Sequence, residues 1–161
     1  MLNLKNKFYL KIIFLFSLIA IISAYFIEYI LGHQPCNLCL LERIPYVINI
    51  VLITLIFILK KSDKFLIILL ILTSVFSLVI SVYHFGIEQE FFQESSICNL
   101  KDITENLTKE NLLKQLSEKT VSCKDVTFKI FGLSLTSINI VISLLFIITL
   151  LKIFKKYEKN K

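Results

Sequence analysis

The sequence predicts an all-α, polytopic membrane protein: one domain, residues 1–161, built as a bundle of four transmembrane helices. Hydrophobic residues make up 56% of the chain and charged residues only 19%, and the mean hydropathy is +0.77. Four apolar runs reach the length of about 20 residues that spans a lipid bilayer. The net charge of +6 does not indicate nucleic-acid binding, because the lysines gather at the ends of these runs.

Each predicted span follows from one apolar run. The first run is too long for a signal-peptide core and is expected to stay as a helix. The second run is long enough to cross when it is counted from Cys39 but not from Pro45, which places Cys39 at the membrane–water interface. The third run has no charge before His84, near its end. The predicted spans are 8–31, 39–59, 65–86 and 128–151.

The lysines predict the orientation of the bundle. The N-terminal tail, the short loop 60–64 and the C-terminal tail are lysine-rich and lie on one side of a four-span topology. The positive-inside rule predicts that this side is cytoplasmic. The protein is then expected in a bacterial inner membrane, with the loops at about 32–43 and 87–127 in the periplasm. Disulfides persist in that compartment.

A Cys-x-x-Cys motif lies at the start of the second span. At about 100° per residue, Cys36, Cys39 and Arg43 fall within one narrow stripe of a helix face. The positive end of the helix dipole and a cation one turn away both favour the thiolate, the form that attacks disulfides and electron acceptors. Arg43 is the only arginine beside 17 lysines. A structural disulfide beside an interfacial arginine is the alternative interpretation.

Four cysteines, two in each outer loop, allow three kinds of site. They are Cys36, Cys39, Cys98 and Cys123. A zinc site usually has two close pairs, whereas the second pair here is 25 residues apart. Structural bridges are a second possibility, although helices in lipid need no such brace. The third is a redox relay, in which one pair meets a protein substrate and the other passes electrons to a lipid-soluble acceptor.

The sequence resembles the disulfide bond formation protein B (DsbB) family over nearly the whole chain. The residues that carry this resemblance are the run from Cys36 to Arg43, which is similar to the family's Cys-x-x-Cys-x-x-Glu-Arg motif, and Tyr83-His84 at the end of the third span. Val121-Ser122-Cys123 and the run from Phe131 to Leu135, with Asn139 in the fourth span, add to it. Phe128 stands where members commonly have tryptophan, and Lys124 where an acid is usual.

The resemblance implies a quinone-coupled thiol oxidase that reoxidises a soluble, periplasmic DsbA-like partner. It implies the pairs Cys36–Cys39 and Cys98–Cys123, with Cys98 meeting the partner, Cys123 passing oxidation on through Cys36, and Cys39 facing the quinone ring. The acceptor would come from the membrane quinone pool, as ubiquinone or menaquinone, and no metal is expected.

Three residues are expected beside the quinone. Arg43 can donate hydrogen bonds to a quinone carbonyl, and an interfacial anchor is its alternative role. His84 can donate to the second carbonyl or accept a proton. Glu42 points off the cysteine face and is expected to have only a supporting role.

Two other functions compete with this interpretation. A vitamin K epoxide reductase-like enzyme also has four helices and two cysteine pairs, but in that family the Cys-x-x-Cys pair follows the loop cysteines, whereas here it comes first. The other alternative is a non-catalytic membrane subunit whose disulfides brace the outer loops.

The partner is expected to be a general DsbA or a dedicated one, as in the DsbI-type branch.

Overall fold

The computed structural model describes residues 4–59, 64–93, 123–124, 129–130 and 132–159. In this part of the chain the helices are α1 (Leu4–Tyr29), α2 (Asn37–Leu59), α3 (Lys64–Glu88) and α4 (Leu135–Lys159). All four are long and apolar enough to cross a membrane. The predicted all-α, four-helix membrane fold is therefore confirmed. A two-stranded antiparallel hairpin, β1 (Lys129–Ile130) with β2 (Leu133–Ser134), precedes α4.

The helices pack in sequence order. Helix α1 packs on α2, α2 on α3 and α3 on α4, while α4 also contacts α1 and so closes the bundle. Large apolar side chains such as Phe16, Ile58, Phe76 and Leu145 remain exposed on the outside. Such surface is stable in lipid, since lipid tails are as apolar as these side chains.

Small polar residues line the contact between α3 and α4. Ser77 and Ser143 are buried, and their hydroxyl groups lie 3.1 Å apart across the two helices. Ser74 and Ser81 donate to carbonyl groups of their own helix, four residues back. Short side chains allow close approach of two backbones in lipid, where burial of apolar surface adds little. This close contact brings the C-terminal end of α3 and the N-terminal end of α4 together at the site described below.

Helix α3 runs to Glu88, so it covers the start of the loop that was predicted from residue 87. Its end is fixed by two backbone bonds to the last turn, from Glu90 N–H to the Ile87 carbonyl at 3.0 Å and from Phe91 N–H to the Gly86 carbonyl at 2.8 Å. Glu90 adopts a φ of 61°, the left-handed conformation that closes such a helix end. The two extra residues place Glu88 one turn beyond His84 on the same face.

The last helix begins later than predicted. The apolar run was expected to span the membrane from residue 128 to 151, but α4 starts at Leu135 and continues to Lys159. Gly132, with a φ of 82°, turns the chain between β1 and β2. The Ser134 hydroxyl then accepts the Ser137 N–H at 3.2 Å, which is the bond of a helix N-cap. Lysine is a good helix former, so the helix extends into the basic tail.

Candidate active site

Cys36 caps the N-terminus of α2. Its sulfur accepts the backbone N–H of Cys39 at 3.3 Å, in the position an N-cap side chain occupies. The two thiol sulfurs lie 2.9 Å apart, with Cys36 only 6% exposed and Cys39 partly buried. The predicted juxtaposition of a cysteine pair and a helix N-terminus is therefore present in the structure.

His84 brings the end of α3 against this sulfur. Its Nε2 lies 3.6 Å from Cys36 Sγ, and the imidazole is buried. The hydrogen bond from the Cys39 thiol and the nearby His84 ring lower the pKa of Cys36 to about 4, although burial alone would raise it. Cys36 is therefore the thiol of the pair that is held as a thiolate.

Reduced Cys36 is expected to react with iodoacetamide at a nearly constant rate at all pH values above about 5, because its pKa lies near 4. The rate should fall as the pH drops through that value, whereas an ordinary thiol loses reactivity below about pH 8.5. Quantifying the alkylated Cys36 peptide against pH by mass spectrometry measures this midpoint. Cys39→Ala, which removes the thiol donor, should move the midpoint upward. A wild-type midpoint near 8.5 would contradict the assignment.

Glu42 holds His84 from the opposite side. Its Oε1 lies 3.1 Å from His84 Nδ1, and its Oε2 accepts the side-chain N–H of Asn139 at 3.0 Å. Asn139 also donates to the Ser81 hydroxyl at 2.8 Å and accepts from the Tyr46 hydroxyl. The network ties α2, α3 and α4 together and fixes the imidazole. Glu42 thus has a closer contact with the site than its place on the helix predicted.

Cys123 reaches the same buried cluster from the segment between α3 and β1. It is 2% exposed, is disulfide-bonded, and packs with Cys36, Leu38, Ile80 and Ile87. Its predicted partner, Cys98, lies outside the described residues, so the Cys98–Cys123 pairing stays a prediction. The second cysteine site therefore adjoins the first, which is the arrangement that thiol–disulfide exchange between them requires.

Arg43 faces α1. Its Nη1 donates to Glu28 Oε2 at 2.6 Å, and its guanidinium carbon lies 5.2 Å from the centre of the Tyr25 ring. The side chains of Arg43 and Glu28 are 16% and 22% exposed. An ion pair with so little exposure at the edge of an apolar span neutralises a charge that would be costly alone. Arg43 is not among the side chains that contact His84 or the cysteines in the described contacts.

The structure groups the predicted residues differently from the sequence. It brings Cys36, Cys39, His84 and Glu42 together and places Arg43 with α1. Sequence reasoning missed Glu28 as the partner of Arg43. The signal was present, because Glu28 is the only acid in the first apolar run and Arg43 is the only cation near the start of the second. It also missed Tyr46, Ser81 and Glu88, whose roles depend on how three helices meet.

The donor set is also relevant to metal binding. The ligand atoms of Cys36, Cys39 and His84 all lie within 4.8 Å of one another. This spacing is also compatible with one soft metal ion, so the expected absence of a metal stays a prediction. The experiment below includes a chelator for this reason.

The fold is a four-helix membrane bundle. It has an activated cysteine pair at one helix end and a second, disulfide-bonded cysteine beside it. These features are those expected of a membrane protein that exchanges disulfides. The chain belongs to the disulfide bond formation protein DsbB family, whose model matches residues 6–153. The resemblance predicted from the sequence is thereby confirmed. An uncharacterised protein of Rickettsia prowazekii (strain Madrid E) is 32% identical over 147 residues, which cover 90% of this chain and 86% of that protein. No solved structure matches the chain significantly.

Proposed function

We propose that this disulfide bond formation protein is a thiol:quinone oxidoreductase that reoxidises a periplasmic DsbA-like dithiol partner. The observation that carries the proposal is the position of Cys36, whose sulfur contacts Cys39 and His84 and which packs in the same buried cluster as Cys123. This position suits a cysteine that exchanges with one partner on each side. A brace would need neither an activated thiol nor a histidine held by a carboxylate.

Energetics favour a strong final acceptor. DsbA has a reduction potential of about −120 mV, so its dithiol gives up electrons reluctantly. Oxidation of such a partner therefore needs an acceptor of higher potential than an ordinary disulfide. A bound quinone supplies that acceptor, since it takes up two electrons and two protons. Cys39, which is partly exposed near the start of the apolar helix α2, would be the cysteine open to a lipid-soluble molecule of this kind.

The proposed relay keeps electrons and protons in balance. The reduced partner attacks Cys98, and a new partner disulfide forms as the Cys98–Cys123 bond is reduced to two thiols. Cys123 attacks Cys36 and displaces Cys39, after which Cys98 attacks Cys123 and displaces Cys36. The two electrons of the partner dithiol then reside on Cys36 and Cys39; one of its protons is on the Cys39 thiol, and the other is not held by Cys36, which stays a thiolate. The shared packing of Cys36 and Cys123 supports this order.

The surroundings of Arg43 support the proposal that this residue binds a quinone headgroup. Leu40 and Ile44 on α2 are 44% and 46% exposed. An apolar surface that is open to lipid therefore lies beside the mostly buried guanidinium of Arg43. Nη1 of Arg43 is engaged by Glu28, and the other N–H groups of the guanidinium can donate to a carbonyl. Arg43 is therefore the residue that would hold the quinone. The ring nitrogens of His84 face Cys36 and Glu42, which favours a role in activating the thiol over direct binding of quinone.

The test uses the full chain in lipid nanodiscs that contain ubiquinone or menaquinone. Addition of a reduced DsbA-like protein should reduce the quinone, measured by its absorbance, and oxidise the partner in equal amount. Cys39→Ser should lower the rate to that of empty nanodiscs. Persistence of the wild-type rate in this variant, or a partner oxidised without quinone reduction, would favour a non-catalytic or a different role. Loss of activity on addition of a chelator would instead favour a metal site.

Orientation belongs to the same proposal. We expect reporter fusions at Lys61 and Asn106 to report opposite sides of the bacterial inner membrane, with Lys61 cytoplasmic, because lysines gather on the side of both termini. Alkaline phosphatase, active only in the periplasm, and green fluorescent protein, fluorescent only in the cytoplasm, give complementary signals. Two fusions on the same side would remove the periplasmic relay.

A further inference from the structure

Glu88 is a buried carboxylate that the relay does not use. It ends α3, and its side chain is 6% exposed. Its Oε1 accepts a hydrogen bond from the Thr136 hydroxyl at the start of α4 and lies 4.0 Å from His84 Nε2. Its Oε2 has no hydrogen-bond partner among the residues that the structure describes. Burying a polar oxygen without a partner is costly, so its retention calls for an explanation.

His84 lies between two carboxylates. Glu42 faces Nδ1 at 3.1 Å, while Glu88 and the Cys36 sulfur both face Nε2, at 4.0 Å and 3.6 Å. A proton on Nε2 therefore has two acidic neighbours, the Glu88 side chain and the Cys36 sulfur, and the sulfur is a thiolate only when Cys36 is reduced.

Among the contacts that the structure describes, the other side chains that touch Glu88, His84 and Glu42 carry no positive charge. From α4, Thr136 and Asn139 supply a hydroxyl and an amide, and from α2 the cluster receives Glu42 and the Cys39 thiol. Within the described contacts, His84 is thus the group that can carry a positive charge among these acids. The charge balance of the cluster depends on whether the imidazole keeps its proton.

We infer that Glu88 is a positioning residue that keeps the proton on His84 when Cys36 enters a disulfide. The inference rests on the proposed redox cycle of Cys36 and Cys39 but not on the identity of the final acceptor. In the reduced pair the imidazolium faces the thiolate. In the disulfide the sulfur is uncharged, and Glu88 becomes the anion that faces Nε2. The imidazole of His84 is then already protonated each time Cys36 is released as a thiolate.

Proton counting makes the inference measurable without quinone. Two glutathione molecules reduce the Cys36–Cys39 disulfide, form one glutathione disulfide and give up two protons. Cys39 takes up one proton as its thiol forms. If His84 already holds its proton, Cys36 becomes a thiolate and the second proton goes to solution. The equilibrium constant for reduction then rises tenfold per pH unit. If the disulfide form lacks the proton on His84, the imidazole takes up the second proton and the constant is independent of pH.

The experiment equilibrates the full chain in quinone-free nanodiscs with glutathione buffers between pH 6 and 8, below the range in which a thiol of ordinary pKa, about 8.5, ionises. Acid quenching, alkylation and mass spectrometry of the Cys36–Cys39 peptide give the reduced fraction separately from the other cysteines. We expect a rise of about a hundredfold over this range for the wild type and a nearly constant value for Glu88→Gln. Glu90→Gln, the same change at an exposed position two residues away, should keep the wild-type slope.

Every other outcome overturns the inference. A flat wild-type profile would mean that the disulfide form does not keep the proton, and this result does not depend on whether the variant folds. Equal slopes in the wild type and Glu88→Gln would mean that Glu42 alone holds the proton and that Glu88 only anchors α4 through Thr136. The glutathione equilibrium contains no quinone. Its pH dependence can therefore contradict the role of Glu88 independently of the result of the quinone-reduction assay.

Discussion

His84→Asn is expected to trap the protein with Cys36 joined to Cys123. In the proposed relay Cys36 must leave when Cys98 attacks Cys123, and a thiol of low pKa leaves faster. His84 helps to lower the pKa of Cys36 to about 4, and asparagine removes the ring that faces the sulfur. A hydrogen bond to a charged group contributes roughly 1.5–3 kcal/mol, so this step should slow by up to about ten- to a hundredfold.

The trapped form is detected by acid quenching during turnover, alkylation and non-reducing mass spectrometry of the Cys36–Cys123 cross-linked peptides. His33→Asn is the matched control, because it changes the only other histidine, in the loop before the cysteine motif. Glu42→Gln should give a smaller accumulation, since it leaves the imidazole in place but removes the carboxylate at Nδ1. If His84→Asn accumulated no cross-linked form while its exchange rates matched those of the wild type, His84 would not act on the thiol.

The membrane fold could be predicted from the sequence because it depends on the length of apolar runs, which a bilayer of fixed thickness makes informative. The error at α4 has the same origin. Residues from Phe128 onward are apolar enough to continue a span, but a glycine in the left-handed region and a serine N-cap delay the helix to Leu135. Hydropathy reports how apolar a segment is and not where its backbone begins to hydrogen-bond as a helix.

The site could be predicted only in part, because a stripe on one helix does not reveal what faces it. Cys36 and Cys39 were found from their spacing and from the helix end they share. Glu42 lies off that stripe, yet α3 and α4 approach from its side, so it contacts His84 and Asn139. Arg43 lies on the stripe, yet its side chain turns to Glu28 on α1. Both differences come from packing between helices, which sequence spacing does not contain.

Arg43→Lys is expected to raise the KM for quinone by about ten- to a hundredfold while leaving thiol–disulfide exchange with the partner nearly unchanged. The reason is geometric. A guanidinium holds five N–H donors in fixed directions, so it can bind Glu28 through Nη1 and still donate to a quinone carbonyl. A lysine ammonium that pairs with Glu28 is a compact point charge and has no such set of fixed donors left for the quinone. Loss of one charge-assisted hydrogen bond, roughly 1.5–3 kcal/mol, gives the expected change.

Two measurements separate binding of quinone from anchoring of the helix. Steady-state kinetics with varied quinone give KM, and reduction of the Cys36–Cys39 pair by the partner in quinone-free nanodiscs gives the exchange rate. Glu28→Gln is the informative companion, because it releases Nη1 while keeping the guanidinium, so the KM of the wild type should be largely retained. If Arg43 is only an interfacial anchor, lysine should replace it with little change, since both side chains reach the interface. An unchanged KM for quinone in Arg43→Lys would therefore remove the binding role and leave the ion pair with Glu28 as a structural link between α1 and α2.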